Sequence, residues 1–246
     1  MKEEKKKVIK KYIFLFFVFF IVLTSVFIMI KYQVEGETQM PYKLNQIVIK
    51  STLGSKDLEG DQLWNIELLQ NNDIYIYINK DDNHHDDLKI EKVSIENIEF
   101  ENIDNTEKIK VLLPTGNNLD NIYVNSTKDY KNEKIEFLGS NVDSLDKHEI
   151  CEEGGMIAFR IENSNLGTYT SDKDKEIKYD SSLLEKAKID ENSLKYKVSF
   201  DLIIETTSGV KYKTTLNYEM PVDSFKDSGI NTKVIEDFSD VVFKRE

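Results

Sequence analysis

The side chains with the clearest capacity for chemistry lie in one short stretch, Asp81-Asp82-Asn83-His84-His85-Asp86-Asp87. Carboxylate and amide oxygens are ligands for calcium, and imidazole nitrogens are ligands for zinc or copper. A weak cation site is therefore one interpretation of this stretch. Its candidate ligands are Asp81, Asn83, His85 and Asp87.

Two features of the same stretch oppose a strong metal site. A calcium loop of the EF-hand type starting at Asp81 would need glycine and glutamate where the chain has Asp86 and Lys92. Adjacent histidines in a strand would point in opposite directions, whereas zinc needs ligands directed at one point. We therefore predict a solvated loop between strands ending near Asn79 and beginning near Leu88, without a dedicated metal site.

Nucleophilic catalysis has little support in the sequence. The chain has no Gly-x-Ser-x-Gly motif, and its three histidines are residues 84, 85 and 148. Cys151 is followed by Glu152 and Glu153, whose negative charge opposes the thiolate that a nucleophile requires. Hydrolysis by a carboxylate pair stays open, because the sequence gives no distances between carboxylates. We predict no catalytic residue, no cofactor and no enzymatic activity.

Other residues that could touch a ligand have simpler structural interpretations. Gly154 and Gly155 precede an apolar run, and such a pair most often forms a turn or bulge before a strand. Trp64 and several tyrosines could stack on sugars, but their strand positions favour packing in the core. The tyrosines concerned are residues 75, 77, 196, 212 and 218.

Short alternating apolar runs supply most of the elements that would hold these residues. They are separated by Asn, Asp, Gly and Ser, which is typical of an antiparallel β-sandwich or barrel. Asn71-Asn72-Asp73 divides two of the runs, and phase changes between Ile90 and Val93 and between Ile95 and Ile98 indicate bulges. The predicted strands are 44–52, 64–69, 74–78, 88–103, 109–113, 122–124, 135–138 and 156–161.

The last two runs predict a hairpin with a defined loop. Even-numbered residues from Leu194 to Ile204 and from Val210 to Met220 are nearly all apolar, so paired residues should both be even-numbered. A two-residue loop would pair Ile204 with Lys213, whereas the three-residue loop Thr207-Ser208-Gly209 pairs it with Tyr212. We predict the longer loop, with Gly209 in the left-handed conformation.

Within residues 43–246, a helix is predicted at only one place. Residues 181–189 form about two turns with Ser182 as the expected cap. The apolar residues near the C-terminus should form an edge strand or pack over one. They are Val234, Ile235, Phe238, Val241, Val242 and Phe243.

A long apolar run near the N-terminus predicts a transmembrane helix at residues 12–32. Residues 13–30 are apolar apart from Thr24 and Ser25, and about 20 helical residues cross the hydrocarbon of a bilayer. The run is longer than a signal-peptide core and ends without an Ala-x-Ala-like cleavage site. Six lysines precede it, so the positive-inside rule predicts a cytoplasmic N-terminus and an external C-terminal domain.

The charge and the single cysteine limit what the external domain can do. Residues 1–31 hold seven lysines and two glutamates, which leaves 26 basic and 43 acidic residues in 32–246, a formal charge of −17. Such a surface is unsuited to nucleic acid. With Cys151 alone no intramolecular disulfide can form, which favours a bacterial origin for an external domain of this size.

These observations define the expected organisation. Residues 1–11 form a cytoplasmic basic tail, 12–32 the transmembrane helix, 33–42 a linker and 43–246 the extracytoplasmic β-sandwich, with 114–119 as an alternative point of subdivision. The predicted function is a binding or scaffolding module at a bacterial cell envelope, with the bilayer and an envelope protein or wall polymer as partners. The alternatives are a carboxylate-dependent glycan hydrolase, or a bitopic subunit of a division, secretion or transport assembly.

Overall fold

The computed structural model describes residues 2–58, 63–83, 87–103, 105–115, 123, 126–140, 142, 148–172 and 176–246. The chain starts with helix α1, Lys2–Glu35. Its segment Ile9–Glu35 is long and apolar enough to cross a membrane, and its apolar side chains are exposed. The Thr24 hydroxyl donates to the carbonyl oxygens of Phe20 and Ile21, at 2.7 and 3.0 Å, so this polar side chain needs no outside partner.

The domain after the helix is built from strands, with two short helices. The helices are α2, Ser181–Lys186, and α3, Phe225–Ser228. The strands in the described residues are β1, Tyr42–Asp57; β2, Leu63–Lys80; β3, Ile90–Glu101; β4, Ile109–Leu112; β5, Ile135–Gly139; β6, His148–Ile150; β7, Gly154–Asp172; β8, Lys197–Thr206; β9, Lys211–Glu219; β10, Ile230–Ile235; and β11, Lys244–Arg245.

The strands form two sheets that pack face to face. One has five strands in the order β10-β1-β2-β7-β4, and the other has six in the order β11-β9-β8-β3-β5-β6. All pairs are antiparallel except β5 with β6. One apolar cluster takes buried residues from both sheets, and the rings of Phe159 on β7 and Phe200 on β8 lie 5.4 Å apart within it. The predicted all-β sandwich with an N-terminal apolar helix is confirmed.

Strands from before and after residues 114–119 share both sheets. In the five-stranded sheet β4 pairs with β7, and in the six-stranded sheet β3 pairs with β5. Residues 116–119 of the alternative boundary lie outside the described part of the chain, as do residues 122 and 124 of the predicted strand 122–124.

Strands β1, β2 and β7 are several residues longer than predicted, and β1 extends to Asp57 rather than ending at residue 52. Strand β2 continues through Asn71-Asn72-Asp73, where we expected a break, because β1 and β7 pair with it on both sides. The side chain of Asn72 is fully buried there, with hydrogen-bond partners inside the sandwich. Strand β7 continues to Asp172 rather than ending at Ile161, because its second half pairs with the first half of β2. Tertiary pairing therefore outweighs the local turn signals.

The predicted bulges and the predicted hairpin are confirmed. The register of β3 against β8 shifts between Ile90 and Lys92 and between Glu96 and Glu99. In the hairpin Ile204 pairs with Tyr212, and the Gly209 N–H donates to the Thr206 carbonyl oxygen at 2.8 Å. Gly209 has φ +80°, which is the left-handed conformation expected of it.

Helix α2 begins where predicted but ends earlier, at Lys186 rather than residue 189. Its cap is Asp180 instead of Ser182, because the Asp180 carboxylate accepts a hydrogen bond from the Ser182 N–H at 2.9 Å. Hydrogen bonds from the Ser182 hydroxyl and then from its N–H hold the pKa of Asp180 below its usual value. Near the C-terminus both expectations hold, since β10 is an edge strand and Phe238, Val241 and Phe243 pack against the main core.

The end of α1 is attached to the last residues of the chain. The helix reaches Glu35, three residues into the predicted linker 33–42, and the Glu37 N–H donates to the Phe243 carbonyl oxygen at 2.7 Å. The Lys244 ammonium donates to Gln33 at 2.6 Å, and the Arg245 N–H donates to the Tyr32 hydroxyl at 2.7 Å. We call the contacts between residues 32–37 and 242–246 the anchor clasp.

Candidate binding groove

A concavity with a volume of about 750 Å³ lies on the outer face of the five-stranded sheet. Strands β1, β2, β4 and β7 form it together with the turn Thr106–Lys108 and residues 126 and 127. We call it the sheet groove. Its lining residues are Ser55, Lys56, Glu67, Leu69, Asn105, Glu107, Lys108, Lys110, Leu112, Ser126, Thr127, Glu162, Ser164 and Asn165.

Strand alternation places the charged side chains on this face. On β4, Ile109 and Val111 are fully buried in the core, so Lys110 and Leu112 point the other way. Lys110 lies directly across from Glu162 of β7. On the other side of the groove Lys56 of β1 lies directly across from Glu67 of β2. The groove therefore contains two cross-strand pairs of opposite charge.

Hydrogen bonds fix one end of the groove. Asn165 has φ +55°, which marks an irregular point within β7. Its N–H donates to the Glu67 carboxylate at 3.3 Å, and its carbonyl oxygen accepts from the Lys108 ammonium at 2.9 Å. The Ser164 hydroxyl donates to the Lys108 carbonyl oxygen, also at 2.9 Å. This end is thus held by bonds among β2, β7 and the turn before β4.

The groove is polar and electrically balanced. Three lysines and three glutamates line it, whereas residues 32–246 carry a formal charge of −17. Leu69 and Leu112 supply its apolar surface and are nearly buried. Among the described residues that line the groove, none is aromatic. Recognition here would depend on hydrogen bonds and charge rather than on ring stacking.

A partly buried ion pair supports the sheet beside the groove. Arg160 donates to both carboxylate oxygens of Asp73, at 2.6 and 2.9 Å, and its guanidinium lies 4.2 Å from the centre of the Tyr123 ring. Burial opposes the charge on Arg160, but the Asp73 carboxylate outweighs it and raises the pKa of the guanidinium. Tyr123 packs on Leu112 of the groove and on Tyr75. The cluster holds the face on which the groove is formed.

Sequence reasoning missed this cluster and the groove. Arg160 is one of only two arginines in the chain and lies in an apolar run, which is a signal that a buried acidic partner exists. Asp73 falls in the predicted break Asn71-Asn72-Asp73, so the local pattern does not indicate that it is this partner. The groove itself depends on pairing between strands distant in sequence, and no local pattern reports that pairing.

The predicted cation candidates lie at the opposite end of β2, near the anchor clasp. One Asp81 carboxylate oxygen accepts from the Asn83 N–H at 3.3 Å and from the Asn83 side-chain amide at 3.0 Å. The Asn83 N–H is the main cause of a lowered Asp81 pKa. Asp87 is described, but His84, His85 and Asp86 lie outside the described residues. Within the described ranges no group of three or more His, Cys, Asp or Glu side chains could hold a metal, and weak cation binding stays a prediction.

The tyrosines divide between the two faces of their sheets. Tyr196 and Tyr212 are buried in the core, as predicted, and Tyr218 packs against it. Tyr75 and Tyr77 were predicted in the core but alternate with buried isoleucines of β2, so they lie on the outer face. The predicted phase was wrong for these two, although Tyr75 packs against the small cluster of Leu112 and Tyr123. The side chain of Trp64, which belongs to the same prediction, lies outside the described part of the structure.

The glycine pair lies at the start of β7, where Gly154 lies close to the backbone of the neighbouring strand β2. Gly154 has φ +118°, and a Cβ there would overlap the Ile78 carbonyl oxygen of β2. The close approach is therefore between two paired strands, which agrees with a structural role for the pair.

Comparison with protein-family models, with curated proteins and with solved structures finds no match. The chain is a β-rich domain preceded by a helix suited to a membrane anchor.

Proposed function

We propose that this protein is a membrane-anchored binding module of a bacterial cell envelope, and that the sheet groove holds its partner. The observation that carries the proposal is the position of a large polar groove at the end of β1 away from the anchor. Lys56 in the groove follows Tyr42, the first residue of β1, by 14 residues, or about 45 Å of extended strand. An anchored domain of this form would present the groove well beyond the bilayer surface.

The orientation in this proposal rests on the lysines. Six of them precede the apolar run closely, so the N-terminus would remain in the cytoplasm and the β-sandwich would lie outside. The partner would then be a wall polymer or another envelope protein.

Cys151 provides a direct test of this orientation, because it is exposed and is the chain's single cysteine. A membrane-impermeant maleimide should label the protein in intact cells as fully as in lysed cells. The Cys151→Ser variant should show no labelling in either. Labelling only after lysis would place the domain in the cytoplasm and contradict the proposal.

Site-specific crosslinking tests the groove. A photoreactive amino acid at Thr127, which is exposed at the groove, should capture a partner in intact cells. The matched control is the same amino acid at Asn217, which is exposed on β9 in the other sheet. Capture from Thr127 alone supports the proposal. No capture, or equal capture from both positions, contradicts it.

Glycan hydrolysis is the second candidate, and the three groove carboxylates favour it. Paired carboxylates are the usual catalytic groups of glycoside hydrolases. If the full chain releases soluble fragments from purified cell-wall sacculi, and Glu67→Gln, Glu107→Gln or Glu162→Gln abolishes that release, the protein is an enzyme. Intact sacculi after incubation would remove this candidate.

A subunit of a larger membrane assembly is the third candidate, and the anchor clasp favours it. A helix attached firmly to its domain is suited to transmitting contacts made within the bilayer. Replacing residues 12–30 by an unrelated apolar helix while keeping 31–41 should abolish function if partners recognise the helix. Full function after this exchange would show that the helix is only an anchor.

A further inference from the structure

The arrangement of charges in the sheet groove narrows the class of its ligand. Lys110 lies across from Glu162, and Lys56 across from Glu67, so each side of the groove offers both signs of charge. Within the described part of the chain, Lys56, Lys110 and Glu162 make no ion pair. These charged groups are available to a ligand.

Three ligand classes fit this lining poorly. A polyanion would meet three glutamates and the negative field of the whole domain, and a polycation would meet three lysines. A neutral glycan would find hydrogen-bond partners but no aromatic ring among the described lining residues, although ring stacking supplies much of the affinity for sugars. A ligand that carries both charges can satisfy both sides of the groove.

We propose that the sheet groove binds a short peptide bearing both a free amino group and a carboxylate, as the cross-linking peptides of a bacterial wall polymer do. This assignment rests on the proposed function, which places the groove outside the cell. The ligand carboxylate would accept from Lys56 or Lys110, and its amino group would donate to Glu162 or Glu67. A volume of about 750 Å³ lies within the usual range for small-ligand sites. Charge-assisted hydrogen bonds of this kind are the stronger class of polar contact.

Calorimetric titration of the full chain in lipid nanodiscs tests this class. The probes are peptide-bearing fragments released from sacculi, the same fragments with amines acetylated and carboxylates amidated, and oligomers of N-acetylglucosamine. We expect binding of the unmodified fragments and none of the other two. Binding of the N-acetylglucosamine oligomers, or equal binding of the blocked fragments, would overturn the assignment.

Variants of the groove residues separate ligand recognition from folding. Lys110→Gln and Glu162→Gln should each weaken binding of the unmodified fragments about tenfold, since each removes one charge-assisted bond. The double variant Lys110→Glu with Glu162→Lys keeps an opposite-charge pair across the strands. Its urea midpoint of unfolding should therefore equal that of the wild type. It should nevertheless bind weakly, because the two charges have exchanged places. Full affinity in the exchanged variant would contradict recognition of ligand charge.

The two proposals can fail separately. Capture of a partner from Thr127, but no binding of the peptide fragments, leaves the groove as a binding site and removes only the peptide assignment. If Cys151 is protected in intact cells, the envelope location itself fails. Weaker binding at higher ionic strength is expected for a charged ligand and would distinguish it from a neutral one.

Discussion

At the scale of single residues, buried polar side chains separate two apolar clusters inside the sandwich. Along β1, Ser51 lies between Ile49 of the main cluster and Leu53 of the second, which packs beneath α2 and α3. Along β2, Gln70 and Asn72 lie between the same two clusters. The Asn72 amide donates to the Tyr196 hydroxyl at 2.7 Å and its oxygen accepts from Ser51 at 2.5 Å. These bonds satisfy groups that would otherwise be costly to bury.

Asn72→Leu should therefore destabilise the protein strongly. The replacement leaves the buried hydroxyls of Ser51 and Tyr196 without this partner, at a cost of about 3 kcal/mol in the free energy of unfolding. Urea denaturation of the detergent-solubilised chain, followed by circular dichroism, measures it. The control is Asn79→Ala on the exposed part of the same strand, which should change the value by less than about 0.5 kcal/mol. Equal midpoints for both variants would show that the network adds no stability.

Asp201 on β8 predicts a dependence of stability on pH. Burial opposes its charge, but its carboxylate accepts from Asn97, Thr215 and Lys213, at 2.6, 2.6 and 3.0 Å, and these donors lower its pKa. A group with a lowered folded-state pKa contributes stability above its unfolded value, about 3.9, and loses it as the pH falls through the folded value.

The expected result is a steeper loss of stability for the wild type than for Asp201→Asn as the pH falls below about 4. Urea midpoints measured at intervals from pH 6 to pH 2 supply the comparison. Parallel curves for the two proteins would mean that the Asp201 contacts do not favour the charged carboxylate.

At the scale of elements, the last hairpin could be derived fully from sequence. Its apolar residues alternate over both strands, so a single rule, that paired residues share a face, selected the loop length and the partner of Ile204. The same reasoning failed for β2, where Asn71-Asn72-Asp73 has a strong local turn signal. The hydrogen-bond partners of this stretch come from β1, β7 and the segment before β8. Partners so distant in sequence leave no periodic pattern near residues 71–73.

Gly209 allows a quantitative test of that loop. A Cβ at this position would meet nothing within 4 Å, so substitution carries only the cost of the left-handed backbone. Gly209→Ala should lower the free energy of unfolding by about 1 kcal/mol, and Gly209→Asn by less, since asparagine tolerates this conformation. Thermal or urea unfolding of both variants ranks them. If alanine is no worse than asparagine, the loop does not hold residue 209 in this conformation.

At the scale of the whole molecule, the β-sandwich could be predicted from the sequence, but the sheet groove on its outer face could not. Composition and alternation predict the long apolar N-terminal helix, the sandwich and the acidic charge. The groove results from the register of four strands, which brings Lys56, Glu67, Lys110 and Glu162 onto one face. Register between strands as distant as β4 and β7 cannot be obtained from a single sequence.

The anchor clasp predicts how the domain is held to its helix. Deleting Lys244–Glu246 removes β11 and the contacts to Gln33, Tyr32 and Glu37. Hydrogen exchange at the amides of residues 36–40 should then become faster by at least about tenfold, while exchange within β8 stays unchanged. Mass spectrometry of the full chain in nanodiscs measures both regions. Unchanged exchange at residues 36–40 would show that the clasp does not stabilise the junction.

The clasp also sets an order of events during synthesis. Its hydrogen-bonded partners are separated by 211 and 213 residues. The ribosome therefore synthesises the C-terminal end of α1 long before the residues that bind to it. A growing chain can form the helix and the strands up to β10 before the residues of the clasp are made. In the proposed membrane-anchored state, a chain that stops before residue 242 would lack β11 and the contacts that fix the angle between the helix and the domain.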